Sequence, residues 1–455
     1  MKARYLFFIP LFIVGCADKK VIIEKSKITF KQNKIVKKQE IMATSQSIND
    51  LTTIDQNISA YLSSVKQERY ISSLESFEKD YFLPWNLQKI DITLRDAQWA
   101  YKAFNEKNSF GANLQKLPKS FFDDIYMRSN FKEFATLNKR AITLKALDIR
   151  AFPTQEPLFM NPQKAGEGFP FDYLQNSSIA ANKPLLISHY SKDKEWAFVE
   201  SSFAFGWVKA DGIVSIPKKY TELYKAAQKE FCVKEGVAIY DQDKNFLFRS
   251  RIGMLLPEIN ESKTSYKVLT ISNYKINQAY YRESQLSKDI VHQGILKFSR
   301  ENIIKIFNEV SNVKYGWGGM YGQRDCSSTL RDFYAPFGIW LPRNSYKQSQ
   351  VGKVISLKGL SDDEKIRIIK EKAIPFETLL YKKGHILLYV GVKNDTVVVF
   401  HNVWGIKTKK EGKEGRFVIG KPIFSSLKVG SNLQDYDKNA SILSHLQSMN
   451  IITQH

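Results

Sequence analysis

A cysteine set directly after a glycine-rich loop and directly before an amphipathic run constrains this chain more than any other feature. Residues 314–334 read KYGWGGMYGQRDCSSTLRDFY. Glycines at 316, 318, 319 and 322 let the backbone turn tightly. Leu330, Phe333, Tyr334 and Phe337 then follow at i, i+3, i+4 and i+7, the spacing of one helix face, so Asp325, Cys326 and Ser327 fall at a helix start. Unpaired N–H groups and the helix dipole favour a thiolate there, which predicts a lowered pKa for Cys326 and a sulfur that is nucleophilic at neutral pH. The same N–H groups are placed to hold an oxyanion, with Asp325, Ser327 and Ser328 adding capping and hydrogen-bonding oxygens.

A cysteine nucleophile needs an imidazole to carry its proton and a third group to orient that ring. Of six histidines, His385 opens the run HILLYVGVK after Gly384, and His401 lies near the end of TVVVFHNVWG. These runs read as two β-strands joined at Asn394-Asp395. Both rings share a face if paired residue numbers sum to an even value, which needs an odd loop or a bulge. His385 is then the general base and His401 its orienting partner. Taken singly, Cys326 reads equally as a buried helix residue and the two histidines as ordinary strand residues; their combination with the glycine loop points to chemistry. Cys232 has no such setting and reads as structural. His189, His292, His445 and His455 read as surface or satisfied residues, the last two in a frayed tail.

The 455 residues allow several domains. Residues 51–145 carry apolar positions at mixed helical spacing and read as a helical N-terminal domain. Short apolar runs split by turn residues then suggest two small β-barrels, over 146–216 and 217–295. Over 296–430 the pattern turns helical, with Ile303, Ile306, Phe307 and Val310 on one face behind a Ser299 N-cap, and strands come after. Helices followed by strands without βαβ alternation indicate an α+β catalytic domain, and residues 431–455 read as a tail. The whole is a multidomain α+β chain.

The ordered set Tyr315-Gly-Trp-Gly-Gly, Asp325-Cys326-Ser327, Leu341-Pro342-Arg343-Asn344-Ser345 with Gln348, Gly384-His385 and His401 resembles the NlpC-type cell-wall cysteine peptidases, which are papain-like. The segment ending Phe205-Gly206-Trp207-Val208 resembles the closing strands of bacterial SH3-like modules found beside such enzymes. The resemblance implies that Cys326, His385 and His401 cut the amide between γ-D-glutamate and the diamino acid of a peptidoglycan stem. It implies that Tyr315 lines the oxyanion site and that Asp325 and Ser327, with Arg343, Asn344 and Ser345, bind the stem peptide. Relatives that demand a free L-alanine amine read Arg-Asp-Ser where this chain has Arg343-Asn344-Ser345, so the substrate is either an intact wall strand or a freed peptide. A non-catalytic wall-binding lipoprotein, and a cysteine amidase or acyltransferase acting on another envelope bond, are the rival readings.

The first sixteen residues carry Lys2 and Arg4, an apolar run and then Gly15-Cys16. They read as a signal peptide over 1–15 that resembles a lipobox, with Cys16 as the lipidated first residue. Residues 16–50, rich in lysine, read as a tether. Ala17 is not acidic, so an outer-membrane anchor, facing the periplasm, is expected where the organism has one. The formal charge of +22 favours acidic partners, and export removes nucleic acid from among them. The expected partners are peptidoglycan stem peptides and a membrane reached through Cys16. Three cysteines supply no disulfide framework and no Cys-x-x-Cys metal motif, so no metal or cofactor is implied, and a monomer is expected.

Overall fold

The computed structural model describes residues 47–275 and 278–454. The segment read as a signal peptide, Cys16, the part read as a tether up to residue 46, and His455 lie outside the described residues; the rest of that expected tether, 47–50, is packed in place, with Ile48 and Asp50 buried.

In PLLISHY and WAFVES, β-branched and aromatic residues flank the turn-forming stretch SKDKE, and the two runs pair antiparallel as β4 (Pro184–Tyr190) and β5 (Trp196–Ser201). They sit inside a seven-stranded sheet with β1 (Lys139–Thr143), β2 (Leu147–Arg150), β3 (Gln175–Ile179), β6 (Phe205–Lys209) and β7 (Ile213–Ser215), ordered β3-β2-β6-β5-β4-β1-β7. Strand β1 lies in the stretch read as helical. Its residues Ala141–Thr143 pair with β7 and Lys139–Ile142 with β4, so the barrel draws its inner strand from before residue 146.

Ahead of it, the N-terminal region is helical but broken into short pieces, the longest being α1 (Leu74–Tyr81, capped by Ser73) and α2 (Lys119–Arg128). A second sheet holds β8 (Lys229–Cys232), β11 (Leu255–Glu261), β12 (Ser265–Lys275), β13 (Gln278–Ser287) and β14 (Val291–Gln293), beside a small ribbon of β9 (Ala238–Tyr240) and β10 (Phe246–Arg249). Phe77 of α1 packs on Phe231 of β8, and both Phe77 and Tyr81 pack on Trp340, which ties the helical region to the second sheet and to the segment just before Arg343. Cys232 is fully buried in the core of that sheet, where burial pushes the thiol up to about 12.

The last layer pairs helices with a six-stranded sheet. Helix α3 (Arg300–Ser311) is capped by Ser299, and its face Ile303, Ile306, Phe307 and Val310 is buried. Helix α4 (Cys326–Tyr334) lies beside it, and both cover one sheet face. A four-residue helix α5 (Ser345–Gln348) comes next. Helix α6 (Asp362–Lys372) has a Ser361/Glu364 capping box and packs on the opposite face. The sheet is built from β15 (Lys353–Ser356), β16 (Thr378–Lys382), β17 (His385–Lys393), β18 (Thr396–Lys410), β19 (Lys413–Ser426) and β20 (Leu446–Ile451), ordered β15-β20-β16-β17-β18-β19.

The region read as a tail therefore contributes an inner strand. Leu446, Met449 and Ile451 are buried, and the Asn450 amide donates to the carbonyls of Gln348 and Val351. His445 is also held, with its Nδ1 2.9 Å from the Ser441 carbonyl.

Candidate active site

Asp325 is the N-cap of α4: its Oδ1 accepts from the Ser328 N–H at 2.8 Å, and Ser328 Oγ accepts the Asp325 N–H in return. This reciprocal cap fixes Cys326 as the first helical residue. Burial opposes ionisation of Asp325, but the Arg343 guanidinium beside it holds the carboxyl below its usual range. Arg343 grips both Asp325 oxygens, at 2.7 and 3.2 Å, and donates to Ser327 Oγ and to Ser177 Oγ of β3. It reaches the first barrel and the cap of the Cys326 helix at once.

The glycines of the loop do more than turn. Gly318 (φ 58°) and Gly319 (φ 84°) lie against β3, where an added Cβ would come within 2.4 Å of the Gln175 carbonyl oxygen and 2.0 Å of Ser178 Oγ. The Trp317 indole donates to the Asp172 carbonyl. The first barrel is thus seated directly on the loop that presents Cys326. On the other side of α4, Arg324 is fully buried between Glu235 of the second barrel and Asp332 of α4, at 2.8 Å each. Arg251 adds a third contact to Asp332.

Strands β17 and β18 pair from Leu388–Phe400 outward, with a register shift between Tyr389 and Gly391 and a turn at Asn394 and Asp395, both left-handed. A two-residue turn alone would put the histidines on opposite faces, and the bulge restores the even sum. His385 Nε2 lies 2.7 Å from His401 Nδ1, and His401 Nε2 lies 3.0 Å from Ser425 Oγ. Ser425 Oγ donates to the Ser426 carbonyl, so it accepts from His401. His401 therefore carries its proton on Nε2 and accepts from His385 Nε2, which leaves His385 Nδ1 with a free lone pair. The assignment follows from the hydrogen-bond chain.

The sulfur of Cys326 is met by the backbone N–H groups of Ile386, next to His385, and of Ser327. These pull toward the thiolate, but burial and then the Asp325 carboxylate outweigh them and push the thiol up to about 12. This corrects the sequence expectation of a lowered pKa, because a helix start inside a closed site loses the solvent that would stabilise the anion. Burial, then His401 and Lys382, also hold His385 well below the usual imidazole range, and burial followed by Lys382 takes His401 down to about 3. The resting site holds a neutral thiol and two neutral rings.

Tyr315 is close enough to Cys326 and Asp325 for both to act on it. Burial first, then these two neighbours, raise its phenol well above the usual value, so it keeps its proton and stays a donor. Asn344 caps α5, its Oδ1 accepting the Lys347 N–H at 2.8 Å, and it lies at the edge of the cleft. Ser345 begins that helix. A cleft of about 1140 Å³ runs past Cys326, walled by Asn176, Ser202, Trp340, Asn344 and Gly384 among others. Residues that sequence reasoning missed are Ser177, Ser425, Arg324, Asp332 and Asn402, whose amide holds the Arg324 carbonyl and Thr329 Oγ1. No motif marks them. Only the register of β18 against β19 would have pointed to Ser425.

Cys326 at a helix start thus lies in one α+β layer with a strand-borne pair of histidines. Residues 312–407 match the NlpC/P60 family model, residues 157–209 an SH3 domain of SH3b1 type, residues 232–263 an SH3 domain of SH3b2 type, and residues 5–134 the N-terminal stabilising domain found with NlpC/P60. The chain carries an NlpC/P60 domain with SH3b-type domains ahead of it. Its fold is that of a solved NlpC/P60 endopeptidase from Photobacterium damselae subsp. piscicida, with a TM-score of 0.77 at 23% identity over 88% of this chain and 98% of that one. An NlpC/P60 family protein from Bacillus cereus ATCC 10987 aligns with 69% of this chain and 99% of its own at 14% identity and a TM-score of 0.42. No curated protein sequence matches this one.

Proposed function

We propose that this chain is a cysteine endopeptidase of peptidoglycan that cleaves the amide between γ-D-glutamate and the diamino acid of the stem, outside the cytoplasm. The 2.7 Å contact between His385 and His401, beside the helix-start Cys326, carries this reading. The NlpC/P60 and SH3b-type domains support a wall substrate, and the excess of cationic residues suits a polymer rich in carboxylates.

In the reaction, Cys326 Sγ bonds to the γ-carbonyl carbon while its proton passes to His385 Nδ1 and the carbonyl π pair moves onto oxygen. Tyr315 and helix-start N–H groups stabilise that oxyanion. The pair returns to re-form C=O, the C–N bond breaks, and His385 gives its proton to the leaving amine. Water then attacks the thioester with His385 again as base, releasing the carboxylate and restoring the thiol. His401 holds the ring in the required tautomer. Asp325 and Arg343 shape the acyl side of the cleft, and Ser327, Asn344 and Ser345 lie along the stem's path. Cys16 anchors the chain by lipid, with the residues after it as a tether.

Digestion of purified sacculi and of free tetrapeptide, with products identified by mass, tests the reading. The expected products are fragments ending in γ-D-glutamate, absent with Cys326→Ala. Products cut at any other bond would overturn it.

A further inference from the structure

Lys382 closes β16 and pairs in register with His385 across the turn Lys383-Gly384, and Gly384 lines the cleft. Residues directly opposite in an antiparallel pair project from the same face. Lys382, His385, His401 and Ser425 thus form one polar row across β16, β17, β18 and β19. The charge of Lys382 acts on both imidazoles, and Arg416 of β19 acts on Lys382 in turn.

Among the described residues Lys382 forms no ion pair with a carboxylate, while Arg416 acts on Glu414 without a close contact. Arg416 donates from Nη1 to the neighbouring Gly415 carbonyl. Its Nη2 lies against Gly166 of the first barrel, where an added Cβ would come within 3.0 Å. Asp325, the carboxylate that acts on the nucleophile, is already held by Arg343.

This arrangement is costly as it stands. Lys382, partly buried beside a base and pressed by a second cation, opposes the imidazolium that must form when His385 takes the thiol proton. A carboxylate brought by the substrate would neutralise Lys382, gain charge-assisted hydrogen bonds and lift that opposition in the same act.

We propose that Lys382, backed by Arg416, is a specificity residue that reads a free carboxylate next to the scissile amide. The assignment rests on the proposed peptidase function. Stem chemistry offers two sources, the α-carboxylate of the D-glutamate and the side-chain carboxylate of a diaminopimelate.

The test compares kcat/KM on paired synthetic stems: D-glutamate against its α-carboxamide, and diaminopimelate against its amidated form. Wild type should favour the free acid by roughly 10- to 100-fold in one pair, as expected for one charged hydrogen bond. That pair names the carboxylate. Lys382→Met should bring the ratio to about 1, and Lys382→Arg should retain most of it, with melting curves recorded for both. Wild type cleaving both members of both pairs equally, or a preference that survives in Lys382→Met, would overturn the assignment and leave the proposed function standing. Wild type cleaving none of the four stems overturns the proposed function and this assignment with it.

Discussion

His401 Nδ1 sits 2.7 Å from His385 Nε2, and its other nitrogen is claimed by Ser425 Oγ, so a serine two strands away from His385 decides which nitrogen of that ring carries the proton. Ser425→Ala removes the acceptor that fixes the His401 tautomer. Turnover should fall about tenfold with KM little changed, as expected when a positioning hydrogen bond is removed and the base itself remains. His401→Ala should cost more, and His401→Asn should recover part of it by accepting from His385 through its amide oxygen. Equal kcat in Ser425→Ala and wild type would place the tautomer under other control.

Alkylation separates the two cysteines by access and not by acidity. Burial sets both thiols near 12, yet Cys326 lines the cleft and Cys232 is sealed in a barrel core. Iodoacetamide should label Cys326 first, with a rate that keeps rising above about pH 9 in the free enzyme. A rate that levels off below about pH 7 would show a resting thiolate and refute the neutral-thiol site.

Stability should depend on pH through His401. Its pKa is about 3 when folded and about 6.5 when unfolded, so between these values the unfolded chain binds the extra proton and acid favours unfolding. The contribution is fully present above about pH 6.5 and falls by roughly 2 kcal/mol on going to about pH 5. Urea unfolding at about pH 7 and about pH 5 should show that slope, reduced in His401→Asn. Catalysis should persist below about pH 6.5, because His385 also stays unprotonated there.

Arg343→Met leaves the buried Asp325 carboxylate without its cation. Breaking such a pair from one side costs about 3 to 5 kcal/mol, and the contact here is 2.7 Å with both side chains about nine-tenths covered. Arg343→Met combined with Asp325→Asn should recover much of that loss. Chemical denaturation of the two single variants and the double variant measures the coupling.

Cys326 and His385 were legible as candidates because each opens an element behind a local signature, glycines before a cap or a turn before an apolar run, whereas His401 lies inside β18 and stood out only as a histidine within a β-branched run. The face shared by the two rings was legible as a parity condition, and the bulge at Tyr389–Gly391 meets it. What the sequence hid were long-range partners. Arg343 reads locally as a substrate contact, yet its guanidinium is held by Asp325, Ser327 and Ser177, the last 166 positions away. The thiol's acidity was misjudged for a related reason: a helix start is visible in sequence, and the burial that overrides it is not. Strand β20 escaped because LQSMNI mixes polar and apolar residues without clean alternation.

That strand sets an order of events. Because Leu446–Ile451 lies between β15 and β16, the catalytic sheet stays split until these residues have been synthesised, long after Cys326 and both histidines are made. A product stopped short of Leu446 would leave β15 stranded and the buried edge of β16 open, so the length of chain made becomes a condition on whether this layer can close.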